Sequence, residues 1–128
     1  LTGWRQTSRV VVPTLARPAG TRLRGHWRGA SERGALRGRV LIGTRGSSYS
    51  FTYRGAGAAL IGTRWRRGGS ITVSFNGKRK RVSTRAGKTL PLQRLFAGAA
   101  RQGRHTLSLV VNSGSVGVEG LALSDWIR

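Results

Sequence analysis

Apolar and polar residues alternate along several stretches of the chain, as they do in strands that bury one face. Tyr49, Phe51 and Tyr53 alternate with serine and threonine, and the same pattern runs through residues 71–75 and 107–111. Residues 116–123 form a longer apolar run that predicts a closing strand. Weaker patterns predict strands at 8–12, 25–28, 36–42, 58–62 and 88–95, and 93–101 is a candidate for one short helical turn.

The predicted strands follow one another at intervals of about 8–12 residues with glycine-rich breaks, which is the spacing of an antiparallel sandwich. Asn76-Gly77 separates two of them and predicts a tight hairpin, because both residues tolerate positive φ. The prediction is therefore an all-β protein with a single antiparallel β-sandwich. It comprises an N-terminal strand and loop segment at 1–24 and a sandwich module at 25–128, together one domain.

The order of these signals is similar to that of a known group of modules. Gly25-His26-Trp27, the segment 46–55, the segment 103–107 and the closing 116–121 carry the resemblance. They resemble jelly-roll or Ig-like accessory modules of the carbohydrate-binding type in secreted and surface proteins of high-GC bacteria. The resemblance implies a non-catalytic domain, secreted or at the cell surface, that is attached to a hydrolase or a surface protein. Such modules usually have a more apolar return strand after the hairpin and more acidic residues.

The amino-acid composition limits the kinds of catalytic and metal-binding site that the chain can form. The 128 residues include no cysteine, two histidines and three acidic residues, so disulfides, thiolate metal sites and paired-carboxylate hydrolysis are not expected. His26 and His105 are too few for a metal site, and no G-x-S-x-G motif supports a serine triad, so we predict no enzymatic activity, no metal and no cofactor. Glu119 and Asp125 are expected to pair with neighbouring arginines. No apolar run approaches 18 residues, so no membrane insertion is expected. The start at Leu1, without a signal sequence, is expected of a mature product or an excised module.

The net positive charge of the chain indicates which kind of binding partner to expect. Lys and Arg number 24 against three acids, for a formal net charge of +21. Coding bias explains an excess of Arg over Lys, but it does not explain the shortage of acids. Arg is also the better bidentate partner for carboxylate, sulfate and phosphate. An anionic polymer is the predicted partner, an acidic glycan in preference to nucleic acid.

The densest run of charge follows the predicted hairpin and consists of Lys78, Arg79, Lys80 and Arg81. A two-residue loop would turn Lys78 and Lys80 to the side of Phe75, whereas a three-residue loop would turn the two arginines there. The run is interpreted either as an edge strand protected from edge-to-edge pairing by its charges or as one wall of an anion-binding groove.

A second candidate is the polar turn Arg64-Trp65-Arg66-Arg67. An indole beside three guanidinium groups offers stacking together with fixed positive charge. The alternative is that Trp65 folds back and caps one end of the sandwich. In the predicted mechanism the three arginines bind anionic groups, Trp65 stacks on the ligand, and residues 78–81 extend the basic surface.

The function predicted is a secreted, non-catalytic module for an acidic polysaccharide or an anionic cell-surface polymer. A sequence-nonspecific nucleic-acid-binding protein is the first alternative, since the same charge would grip backbone phosphates. A structural subunit of a surface filament or capsid is the second, with self-assembly or neighbouring domains as partners.

Overall fold

The computed structural model describes residues 5–11 and 19–127, which form two antiparallel sheets packed face to face. The first sheet contains, in spatial order, β3 (Trp27–Ser31), β4 (Arg39–Thr44), β11 (Ser115–Ile127), β6 (Ala58–Arg64) and β9 (Leu90–Gly98), with β1 (Arg5–Val11) also paired to β11. The second contains β2 (Thr21–Arg24), β5 (Ser48–Gly55), β10 (Gly103–Ser113), β7 (Ser70–Phe75) and β8 (Lys78–Ser83). The predicted all-β sandwich is confirmed.

The order of the last eight strands is that of a jelly roll. β4, β11, β6 and β9 lie side by side in the first sheet, and β5, β10, β7 and β8 lie side by side in the second. Because the chain passes repeatedly between the sheets, neighbours in space are distant in sequence. Of the two architectures that the resemblance implied, the jelly roll is the one observed.

The apolar residues of the alternating segments face the inside of the sandwich, and the polar residues between them face the outside. Tyr49, Phe51 and Tyr53 of β5 are buried between the sheets, and the intervening serines and threonine are not. The same division holds in β7, where Ile71, Val73 and Phe75 are buried. This inner face forms one continuous apolar core with side chains from both sheets.

Three local predictions are corrected. Residues 93–101 are not helical, because Leu90–Gly98 pairs with β6 and cross-strand pairing prevails over local propensity. The predicted strand at 25–28 is interrupted at Gly25, whose φ of +87° separates β2 from β3. The strand predicted at 36–42 begins only at Arg39, because Leu36–Gly38 forms a 3₁₀ turn.

The segment at 1–24 contributes one strand to each sheet. β1 pairs with β11 from Arg5 to Val11, and β2 pairs with β5 from Thr21 to Arg24. Residues 1–4, 12–18 and 128 lie outside the described residues, including Val12 at the end of the predicted first strand.

The predicted hairpin between β7 and β8 has a two-residue loop, the first of the two alternatives. Asn76 and Gly77 have φ of 51° and 75°, and Phe75 pairs directly with Lys78. These values fit the type I′ turn, whose twist matches that of the flanking strands. The register places Lys78 and Lys80 on the side of the core and Arg79 and Arg81 on the outer side.

β11 contains a bulge at Glu119. Val118 pairs with Gly62 and Gly120 pairs with Ile61, so Glu119 has no partner residue on β6. A bulge turns the extra side chain out of the regular alternation. Here it brings a carboxylate into the protein, where Glu119 is 0% exposed.

The Glu119 carboxylate accepts hydrogen bonds from three separate parts of the chain. Oε1 accepts from the backbone N–H of Leu36 at 2.6 Å, and Oε2 accepts from the backbone N–H of Leu92 and the Thr63 hydroxyl, both at 2.8 Å. The predicted arginine partner is wrong: within residues 5–11 and 19–127, no basic side chain lies at ion-pair distance from Glu119. Asp125 does pair as predicted, at 3.4 Å from Arg9.

Alkaline pH should destabilise the fold through its buried tyrosines. The Tyr53 hydroxyl donates to the Ala56 carbonyl at 2.6 Å. Burial raises the pKa of Tyr53 from 10.0 to about 12; the Asp125 carboxylate adds to this rise and Arg9 opposes it. Burial also raises the pKa of Tyr49. Below pH 10.0 the stabilisation from Tyr53 is complete, and it is lost as pH rises toward 12, because the unfolded chain deprotonates first.

Urea unfolding across this pH interval measures the effect. We expect the free energy of unfolding to fall with pH, and to fall less steeply in Tyr53→Phe, which lacks one of the titrating groups. Equal slopes for the two proteins would contradict this assignment.

Candidate functional site: the outer face of the second sheet

The turn between β6 and β7 places Trp65 inside the protein. Trp65 is 3% exposed and packs with Val40 and Ile42 in a small apolar cluster apart from the main core. Its ring lies against Gly117, where even a Cβ would come within 3.1 Å of the indole. This is the arrangement in which Trp65 caps the end of the sandwich, and it leaves no open ring face for stacking on a ligand.

The three arginines of this turn differ in the groups that hold their side chains. Arg64 is held by the Ser83 carbonyl at 3.0 Å and the Gln93 side-chain oxygen at 3.1 Å. Arg66 Nε donates to the Gly87 carbonyl at 2.6 Å. The Arg67 guanidinium lies 4.6 Å from the centre of the Trp65 ring, a cation–π contact. Arg66 and Arg67 are exposed and, with Lys88, border a depression of about 320 Å³.

The four basic residues of β8 are all exposed, but they face two different ways. Lys78 and Lys80 pair with Phe75 and Val73 and lie on the inner side of the strand. Arg79 and Arg81 pair with Ser74 and Thr72 and lie on the outer side. The eight predicted site residues therefore do not all face one way, and the 64–67 turn lies beyond the end of β8, next to Ser83 and Arg85.

The outer side of the second sheet carries mainly serine and threonine. We call this surface the serine-threonine face; its hydroxyl residues lie on β5, β7 and β10 and are Ser48, Ser50, Thr52, Ser70, Thr72, Ser74, Thr106 and Ser108. Thr52 and Thr106 hydrogen-bond each other across strands at 2.8 Å. Ser50, Ser108 and Ser74 adjoin one another, and their hydroxyls have no hydrogen-bond partner among the described residues.

Strand register aligns these residues into two rows that end in arginine on both sides. One row contains, from β2 to β8, Arg22, Ser50, Ser108, Ser74 and Arg79. The next row contains Arg24, Ser48, Val110, Thr72 and Arg81. Four steps between strands, at about 4.8 Å each, separate the two arginines of a row by roughly 19 Å. Every one of these four arginines is exposed.

A further pair of arginines extends the positive charge along the face. Arg54 and Arg104 are direct cross-strand neighbours on β5 and β10. Together with Thr52 they border a shallow depression of about 300 Å³ at one end of the face. Like charges directly opposite each other are unfavourable in a sheet, and a bound anion would relieve this repulsion.

All three acidic residues of the chain lie away from this face. Glu32 follows β3, Glu119 is buried within the first sheet, and Asp125, also on β11, is paired with Arg9 of β1. The strands of the second sheet contain no acidic residue. Its outer face is therefore a surface of one sign, lined with hydrogen-bonding hydroxyls.

The described residues include no cluster of three His, Asp or Glu that could hold a metal ion. His105 is held between the Asn76 side chain and the Arg101 carbonyl, at 3.0 and 2.6 Å. Within residues 5–11 and 19–127, no helix has the length and apolar character needed to cross a membrane.

Solved structures with a similar fold include three instructive examples. A family two carbohydrate esterase from Cellvibrio japonicus matches 94% of this chain and 34% of its own, with a TM-score of 0.59 and 16% identity. The insecticidal crystal protein Cry2Aa matches 93% and 21%, at 0.66 and 14%. The CBM36-1 domain of a multidomain xylanase from the hindgut metagenome of Trinervitermes trinervoides matches 91% and 96%, at 0.56 and 11%.

These likenesses support the sandwich architecture, and at such identities they concern the fold alone. The chain spans about a third of the esterase and a fifth of the crystal protein. No protein-family model and no curated protein matches the sequence. The jelly-roll fold expected from the resemblance is thus confirmed, whereas origin in a high-GC bacterium stays a prediction.

Proposed function

We propose that this chain is a non-catalytic module that binds an acidic polysaccharide, or another anionic cell-surface polymer, across its serine-threonine face. The observation that carries the proposal is the pair of rows in which hydroxyl residues lie between arginines. Guanidinium groups at both edges would bind carboxylate or sulfate groups, and the central hydroxyls would exchange hydrogen bonds with sugar hydroxyls. Val110, 45% exposed in the middle of the second row, offers an apolar contact for a sugar ring.

Several features support the parts of this proposal. The carbohydrate esterase and the xylanase module among the structurally similar proteins favour a glycan ligand. A non-catalytic role agrees with the separation of the three carboxylates, two of which are already bonded within the first sheet. A secreted or cell-surface location would bring the module to such polymers. Arg66 and Arg67 remain predicted contacts for the ligand at the end of the molecule. In this proposal Trp65 does not stack on the ligand but holds Arg67 in place through its cation–π contact.

The hairpin register provides a matched test. Arg79→Gln/Arg81→Gln removes two charges from the serine-threonine face, and Lys78→Gln/Lys80→Gln removes two from the inner side of the same strand. We expect the first variant to bind polygalacturonate about tenfold more weakly than the native protein, and the second to change the Kd by less than about threefold. Calorimetric titration at several salt concentrations measures both effects. The slope of log Kd against log salt should fall by about 1–2 in the first variant.

Two results would count against the proposal. Equal losses in the two variants would mean that total charge, and not the face, determines binding. Binding to single-stranded DNA that is tighter than to polygalacturonate, at about physiological salt and sensitive to Arg79 and Arg81, would favour the nucleic-acid alternative. Neutral dextran serves as the uncharged control and should bind far more weakly than polygalacturonate.

A further inference from the structure

A groove separates the two sheets along the edge where β8 and β9 lie. Its volume is about 630 Å³, within the usual range for small-molecule sites. β8 is the last strand of the second sheet and β9 the last of the first, so the sandwich is open on this side. Val82 and Leu95 are buried and close one part of the opening, whereas the part nearer the hairpin remains open.

The floor of the groove is aromatic. Phe75 and Phe96 meet edge to face, with ring centres 6.1 Å apart. Gly98 allows this approach, because a Cβ there would lie 2.6 Å from the Phe75 ring. A bulge in β9, between the partners of Leu60 and Ile61, turns Phe96 toward the same side as its neighbour Leu95. Phe96 is only half-buried and leaves apolar surface open to the groove.

The rim of the groove is positively charged. Lys78 and Lys80 reach it from the inner side of β8, Arg79 of the same strand also lines it, and Arg101 borders it beyond the end of β9. No acidic residue lines it. The chain has 21 arginines and only three lysines, yet lysine occupies both of these inner positions, while arginine occupies both outer ones. A lysine can extend its apolar stem over the phenylalanine rings and keep its ammonium group at the mouth of the groove.

Protection of the edge strand does not require this arrangement. Charges on β8 would discourage pairing with another chain whichever side they occupied. An aromatic floor beneath two inward ammonium groups instead has the chemistry of a site for an apolar body that ends in an anionic group. We infer that the groove between β8 and β9 is a second binding site, for a small apolar carboxylate whose hydrocarbon part contacts Phe96 and whose carboxylate lies between Lys78 and Lys80.

The inference is independent of the polymer proposed for the serine-threonine face, and two double variants test it, one at the groove and one at the far edge of the second sheet. The probe is 2-naphthoate, and 2-naphthamide is its neutral counterpart of nearly equal shape. Binding is followed by NMR titration of the His105 ring, which packs against Phe75 with centres 5.9 Å apart. We expect naphthoate to bind about tenfold more tightly than the amide. Lys78→Gln/Lys80→Gln should remove this preference, and Arg22→Gln/Arg24→Gln, which removes two charges from the opposite edge of the sheet, should preserve it.

Three outcomes would overturn the inference: equal affinity for acid and amide, equal effects of the two double variants, or displacement of naphthoate by sulfate alone at the same concentration. The first would leave only apolar contact, and the other two would leave only surface charge. Phe96→Leu reduces the aromatic floor and provides an independent check, because it should weaken naphthoate binding with all four basic residues of β8 in place. Since polygalacturonate is too large for the groove, its binding is measured separately and decides only the first proposal.

Discussion

Replacing Glu119 with alanine is expected to lower the free energy of unfolding by about 3–5 kcal/mol. The substitution leaves the N–H groups of Leu36 and Leu92 and the hydroxyl of Thr63 without their acceptor, a carboxylate that is itself fully buried. It also releases the 3₁₀ turn and β9 from the centre of the first sheet. Denaturant unfolding followed by tryptophan fluorescence measures the loss.

Two comparisons make the Glu119 experiment specific. Glu119→Gln keeps the shape but turns an amide N–H₂ toward one of the backbone donors, so we expect a smaller loss of about 2 kcal/mol. Asp125→Asn removes a carboxylate from a partly exposed ion pair with Arg9 and should cost less than about 1 kcal/mol. If Glu119→Ala were no more damaging than Asp125→Asn, the three hydrogen bonds would not carry the stability assigned to them.

Replacing Trp65 with alanine is expected to cost about 3–5 kcal/mol, because it opens a cavity against Val40 and Ile42 at the end of the sandwich. The same change removes the ring on which the Arg67 guanidinium rests. Trp65→Phe should cost less than half as much. The indole N–H is buried and has no hydrogen-bond partner among the described residues, so phenylalanine loses volume but no bond.

The alternative role for Trp65 makes a different prediction for the same variants. If the indole were a stacking surface for ligand, alanine would reduce affinity while leaving thermal unfolding nearly unchanged. Burial of the ring predicts a large change in unfolding instead. For Arg67 alone, replacement by glutamine should leave stability within about 1 kcal/mol, since the group is exposed.

The sandwich could be predicted because several of its strands have a pattern of apolar and polar residues that is visible in the local sequence. The alternation in β5 and β7 specifies which residues face the core, and Asn76-Gly77 specifies a hairpin. The jelly-roll order could not be obtained in this way, since alternation does not say which strands are neighbours. The helical turn predicted at 93–101 is wrong for a related reason: the pairing of β9 with β6 depends on residues far away in the sequence.

The serine-threonine face was missed although every one of its residues was visible in the sequence. Polar positions of β5, β7 and β10 are predictable as outward, but the rows exist only once those strands are set side by side. Arg22 and Arg79 illustrate the difficulty, because they share a row and belong to strands at opposite edges of the sheet. Likewise, the burial of Trp65 depends on Val40, Ile42 and Gly117, and nothing in its own turn indicates them.

The two-residue turn at Asn76-Gly77 determines on which side of β8 each of its four basic residues lies. In a strand, odd and even positions face opposite sides, so the length of the preceding turn acts as a parity setting for everything that follows. Adding one residue to the turn would place Arg79 and Arg81 on the inner side of the strand and Lys78 and Lys80 on the outer side, while composition and net charge stayed almost the same. It would also carry Val82 out of the core, which penalises that exchange. Burial of Val82 therefore stabilises the register in which the four basic residues of β8 are divided between its two sides.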